Sequence, residues 1–230
     1  MKLKSLPFYA IILLFFSCSD GLEKEIPSNF NRILTDTTNN HRAKWDLDQI
    51  AHYNSICEEI GLNKLYDGAE SLEIRAWQQT SFFGMGTDEE IYSLKFADSI
   101  VHMTFYRIYC RKGNYDNDTY KTWNAFTEAK VDSFIAISKT FPSSIIDSLH
   151  IDSIWSLKSQ SALEIPDNIR FTDGTTTSIE IANKEKYKLI KHHVAYAYYE
   201  KTKNENIKDF MNFHERVIRH LQVNKVYYPF

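Results

Sequence analysis

The stretch EEIYSLKFADSIVHMTFYRIYC (89–110) decides the fold. In its first half Tyr92, Leu94 and Phe96 fall on even positions and Ile91 is out of phase, so the even side is the better apolar face. Its second half, from Ser99 to Cys110, is dense in β-branched and aromatic residues. A period of two with that composition predicts two strands joined by a turn near Asp98 and Ser99. Upstream, SLEIRAWQQT (71–80) sets Leu72, Ile74 and Ala76 against Glu73, Arg75 and Trp77. That alternation predicts a third strand, with FFGMGTDE as the turn that follows it. Three strands with short links read as an antiparallel meander.

Working outward, the period changes. In DLDQIAHYNSICEEI (46–60), Ile50, Tyr53, Cys57 and Ile60 recur at three and four and predict a helix. Asp46 with Gln49 reads as a capping box, and Gly61 as the stop. Beyond the polar loop 112–120, a helix is expected from Thr127 to Lys139, with Val131, Phe134, Ile135 and Ser138 on one face. A second helical piece, SSIIDSLHIDSIWSL (143–157), follows Pro142, with Ile151 and Asp152 as its weak point. Residues 173–196 read as a hairpin: Asp173 and Gly174 open it, Ile179 and Ile181 alternate with polar neighbours, and NKEK supplies the turn. The final helix, 206–221, carries a stripe of Ile207, Phe210, Met211, His214, Val217, Ile218 and Leu221, capped by Asn204 or Asn206. NKVYYPF closes the chain as a short strand or a loose tail. There is no internal repeat. The expected class is α+β, one domain over 45–230: an antiparallel sheet packed by an N-terminal helix, middle helices and a C-terminal amphipathic helix.

Composition narrows the partners. The formal charge is −3 and there is no basic tract, which argues against nucleic acid. Aromatic residues make up 14% of the chain, many of them tyrosine, enough to supply both a core and a contact surface.

The N-terminus speaks to location. Lys2 and Lys4 precede an apolar run from Phe8 to Phe16, and Ser17 and Cys18 follow. The run is about half the roughly 20 residues that a spanning helix needs. A charged start, a short apolar middle and a small residue have the shape of an export signal over 1–17. FYAIILLFFSCSD (8–20) resembles the lipobox of bacterial lipoproteins, although Phe15 and Phe16 stand where that pattern has leucine and a small residue. The resemblance implies that Cys18 is acylated and heads the mature chain. The alternative is a plain secretory signal with a chance cysteine. Two or more acyl chains suffice for stable anchoring. Residues 18–44, polar and rich in turn formers, then read as the lipidated cysteine and a flexible tether. The location expected from this is the bacterial cell envelope, on the outer membrane, facing either the periplasm or the exterior.

From Ile151 to Leu221 the chain resembles a group of exported bacterial proteins without known activity. The resemblance rests on Asp152, Trp155 and Leu157, then Asp173, Gly174, Ile179 and Glu180, then Lys186 and Tyr187; Thr177 replaces the tryptophan of that pattern. It implies a strand, hairpin and helix unit, and no catalytic residues.

Candidate chemistry is sparse. His214 and His220 are six apart, about 240 degrees around a helix, so they cannot share a metal. His192 and His193 sit in a strand and face opposite ways. Cys57 and Cys110 are expected as two separate thiols, with a disulfide as the alternative. Asp147, His150 and Asp152 put carboxylates beside an imidazole, the material of acid–base work. Trp77, Tyr115 and Tyr120 are the candidate binding surface. Neither metal nor cofactor is expected. The reading is an anchored binding module with a protein or glycan partner; the alternatives are an envelope inhibitor or immunity protein, and a hydrolase using the Asp147 cluster.

Overall fold

The computed structural model describes residues 30–33, 42–81, 88–110, 130–171 and 174–221. Among these, seven strands form one sheet in the order β1-β7-β6-β2-β3-β4-β5: β1 (Asn31–Ile33), β2 (Glu73–Ser81), β3 (Asp88–Ala97), β4 (Ile100–Cys110), β5 (Val131–Pro142), β6 (Gly174–Ala182) and β7 (Lys186–His193). Every pairing is antiparallel except that of β1 with β7. The meander and the later hairpin meet where β6 pairs with β2. This is the expected α+β fold.

The sheet is sandwiched. On one face lies α1 (Arg42–Glu59), with Ile50, Tyr53, Ile56 and Cys57 packed on Trp77, Ile91, Ile108 and Leu189. On the other lie α2 (Ile145–Leu149), a 3-10 turn (Ile151–Ser156) and α4 (Glu205–Leu221). There Phe210, Phe213, Val217 and Leu221 cover Ile74, Tyr92, Leu94, Ile179 and Ile181. α3 (Ala195–Thr202) lies against α4. The odd face of β2, with Glu73, Arg75 and Trp77, is therefore buried as well.

Local signals explain most boundaries. α1 ends in a Schellman motif: Leu62 N–H donates to the Cys57 carbonyl at 2.7 Å, and Gly61 N–H to that of Glu58 at 3.3 Å, with Gly61 at φ +73. Asn204 caps α4, its side-chain oxygen accepting from the N–H of Asn206 at 2.9 Å and of Ile207 at 3.3 Å. At the other end, the Lys139 ammonium donates to the Leu221 carbonyl at 2.8 Å. Asn183 builds the β6–β7 turn by accepting from the N–H groups of Glu185 and Lys186, each at 2.9 Å.

Four expectations are corrected. Residues 131–142 form an edge strand, not a helix, because pairing along β4 satisfies a backbone rich in β-branched residues. The piece 143–157 is not one helix: His150 takes a left-handed conformation, φ 52, and separates α2 from the 3-10 turn. Asp46 is no cap, since α1 begins at Arg42; its carboxylate pairs instead with Lys191 at 2.7 Å. The tether expected over 18–44 is interrupted, because Phe30 to Ile33 lie against the body and α1 starts inside that span. The turn FFGMGTDE (save Asp88 and Glu89), the loop 112–120 and the tail 224–230 lie outside the described residues.

Candidate functional site

The densest polar chemistry lies between α1 and the sheet. Helical spacing puts Gln49, His52, Tyr53 and Cys57 on the side of α1 that meets the strands. Gln79 and Glu89 are directly opposite each other on β2 and β3. His52 Nε2 bonds Glu89 Oε1, the same oxygen accepts from Gln79 Nε2 at 3.0 Å, and Gln79 Oε1 accepts from Gln49 Nε2 at 3.0 Å. A carboxylate that orients an imidazole, itself held by an amide, is the arrangement of a positioned acid–base pair. Here the His52 side chain is 9% exposed and that of Glu89 0%, so the pair joins α1 to the β2–β3 hairpin beneath it.

A second cluster follows along the same face. The Arg75 guanidinium donates to Glu73 Oε1 at 2.6 and 3.0 Å, to the Asn63 carbonyl at 2.6 Å and to the Cys57 sulfur at 3.0 Å. Directly across on β6, the Glu180 carboxylate accepts from Trp77 Nε1 at 2.7 Å and from the Tyr187 hydroxyl at 2.8 Å. Tyr53 stacks on Trp77, ring centroids 3.9 Å apart. Burial pushes the Glu180 carboxyl above its ordinary range, with Arg75 and the two donors pulling it back. Burial also lifts the Cys57 thiol to about 12, against the pull of Arg75, so at neutral pH it is a protonated packing group and not a nucleophile. Cys57 and Cys110 are both free thiols.

On the α4 face two histidines are kept neutral. His192 is buried, donates from Nε2 to the Lys158 carbonyl at 2.9 Å and lies 4.4 Å from the Phe210 ring. His214 sits edge-on to Tyr92 at 5.7 Å. Burial lowers both to about 4, offset in part for His192 by its bond to Lys158. Neither His192 Nδ1 nor His214 Nε2 has a hydrogen-bond partner among the described residues. His193, the strand neighbour, faces the other way and bonds Thr176 at 3.1 Å. His220 bonds Ser148 at 3.3 Å, away from His214 as the helical spacing requires.

The predicted site residues fare unevenly. Trp77 is fully buried, which removes it from any binding surface; its indole is spent on Glu180 and Tyr53. Cys18, Tyr115 and Tyr120 lie outside the described residues. Asp147, His150 and Asp152 are all exposed, strung along α2 and the turn after it, and the His150 carbonyl serves Ser153. No group of three or more His, Cys, Asp or Glu side chains among the described residues could hold a metal. The Lys186 ammonium lies 4.1 Å over the Trp155 ring, and the Tyr187 hydroxyl donates to Glu180. Gln49, His52, Gln79, Glu89 and Arg75 were not read as a site. The one available signal was charge on the odd side of a strand whose even side was already apolar. Compared with protein-family models and with curated proteins, the chain finds no match.

Proposed function

We propose that the chain is a lipid-anchored envelope protein, held on the outer membrane through acyl chains on Cys18, whose α+β body acts as a binding or interaction module. The observation that carries this is the stretch 8–20, a short apolar run ending in Ser17 and Cys18 behind two lysines. The outer edge of the sheet supports the second half of the reading. β5 is twelve residues long and pairs only with β4 among the described residues, and Phe134 and Ile135 are 44% and 37% exposed on its two faces. An extended strand with unpaired backbone groups and apolar side chains accepts a partner by strand addition.

Mass spectrometry of the protein purified from its own membrane tests the anchor. The expected species begins at Cys18 and carries diacylglycerol. An amino terminus upstream of Cys18, or an unmodified thiol there, overturns it. For the interaction, a photo-crosslinking amino acid at Phe134 is expected to yield a discrete adduct in intact envelopes. A single stoichiometric protein adduct is the outcome that an inhibitor or immunity protein requires. Absence of any adduct above a control at exposed Tyr196 overturns the edge as the contact surface.

A further inference from the structure

The first described residues bear on how far the anchor reaches. We propose that β1 is a releasable clip that sets the distance between the body and the bilayer; this rests on the reading of Cys18 as the acylated residue. β1 runs parallel to β7, and Asn31 N–H donates to the Glu185 carbonyl at 2.9 Å. Arg32 fastens it: the guanidinium stacks 4.3 Å over the Tyr66 ring, donates from Nε to the Tyr66 carbonyl at 3.1 Å and pairs with Asp67 at 3.7 Å. Phe30 lies over Gly68, where a Cβ would stand 2.9 Å from its ring, so the seat is shaped for a residue without a side chain.

The fastening is weak where release requires it to be. β1 has three residues, its only strand neighbour among the described residues is β7, and both Arg32 and Asp67 are partly exposed. Such edges open at low cost compared with core strands. Twelve peptide steps separate Cys18 from Phe30, a contour of about 40 Å at roughly 3.5 Å each. With β1 undocked, the next described element is α1 at Arg42, twenty-four steps from Cys18, and the upper bound on the contour doubles to about 80 Å. Docked, the clip puts the point of attachment at one edge of the sheet. β1 and β5 are opposite edges, six strand spacings of about 4.8 Å or roughly 29 Å apart, so the edge exposing Phe134 is the one farther from that point.

The test uses the full-length acylated protein in phosphatidylethanolamine and phosphatidylglycerol vesicles containing an acceptor-labelled lipid. A donor is placed at Lys184→Cys, beside β1, or at Phe134→Cys, both in a Cys110→Ser background. Transfer is expected to be stronger from position 184 than from 134. In Phe30→Ala/Arg32→Glu it is expected to fall at 184 toward the value at 134, as the longer maximal contour allows. Unchanged circular dichroism and melting of that variant show that the body is intact. Independently of any substitution, the Asn31 amide is expected to exchange at least about ten-fold faster than the amides of β6 in the wild type. Equal transfer from wild type and variant, or exchange at Asn31 as slow as in β6, overturns the clip and leaves the anchor standing. Failure of the wild type to bind vesicles overturns the anchor itself, and the clip with it.

Discussion

The two faces of the sheet are both buried, yet they are built on different physics. Beneath α4 the contacts are those of Phe210, Phe213, Val217 and Leu221 on aliphatic and aromatic strand residues. Each such side chain contributes about 1.5–3 kcal/mol simply by leaving water. Beneath α1 the same area also holds Glu73, Arg75, Glu89, Glu180 and His52. Buried charges gain little over an apolar filling of equal shape, but a charge left alone is costly. The α4 face therefore degrades gradually with lost volume, whereas the α1 face depends on every partner being present.

The largest expected effect breaks that dependence directly. Arg75→Ala leaves Glu73 and Glu180 buried without their cation and should cost about 3–5 kcal/mol in urea denaturation. Phe210→Ala on the opposite face should cost a similar amount, about 3–5 kcal/mol, through a cavity. The faces then separate on the second substitution. Adding Glu73→Leu and Glu180→Gln to Arg75→Met should recover most of the loss, because the stranded charges go while an amide oxygen can still accept from Trp77 and Tyr187. Deleting further side chains around Phe210 should only deepen the loss. If the triple replacement is less stable than Arg75→Met alone, the contrast between the faces is wrong.

This contrast also marks how far the sequence could be read. β2 and β3 were legible from alternation, β4 from its β-branched and aromatic density, the β6–β7 hairpin from its turn residues and the alternation around Ile179 and Ile181, and α4 because its apolar residues follow a helical period. β5 was not: as an edge strand it is exposed on both sides, so it has no buried face to write an alternation, and Val131, Phe134 and Ile135 happen to fit a helix. β1 has three residues, too few for any period. Glu73 and Arg75 looked like a solvated strand face, since the covering of that face by α1 is a tertiary event that no local pattern records. His214 was legible on the apolar stripe of its helix, and the opposed faces of His192 and His193 from strand alternation, but not which of that pair is buried, nor the second nitrogens of His192 and His214 that lack a partner among the described residues.

The pH response sharpens the comparison next, since the two faces should fail in opposite directions. His192 and His214 titrate at about 4 in the fold against an ordinary 6.5. Their neutral forms are favoured by folding, so the contribution is full above 6.5, shrinks as pH falls, and is gone once pH passes about 4. Two and a half units correspond to at most about 3 kcal/mol per histidine. Glu180 runs the other way. Its carboxyl is raised above the ordinary 4.5, so what it contributes is full below that value and lost as pH climbs through the raised one. His214→Leu should remove about half of the stability lost between pH 6.5 and 4. Glu180→Gln should gain on the wild type between pH 5 and 8. Urea midpoints across that range decide both, and parallel curves for wild type and His214→Leu would sink the first.

The smallest expected effect probes whether the chain from Gln49 to His52 is held as a unit. Gln49 lies at its outer end, part-buried, and donates to Gln79. Gln49→Ala should cost about 0.5–1.5 kcal/mol, the net value of one such bond. The informative quantity is its coupling to Glu89→Gln. If Gln79 is oriented by Gln49 and in turn orients Glu89, the double variant should lose less than the sum of the two singles, by about 0.5 kcal/mol or more. Strict additivity would mean that the four side chains lie together between α1 and the sheet without sharing a network. The α1 face would then be a set of separate bonds, and its sensitivity to truncation would rest on Arg75 alone.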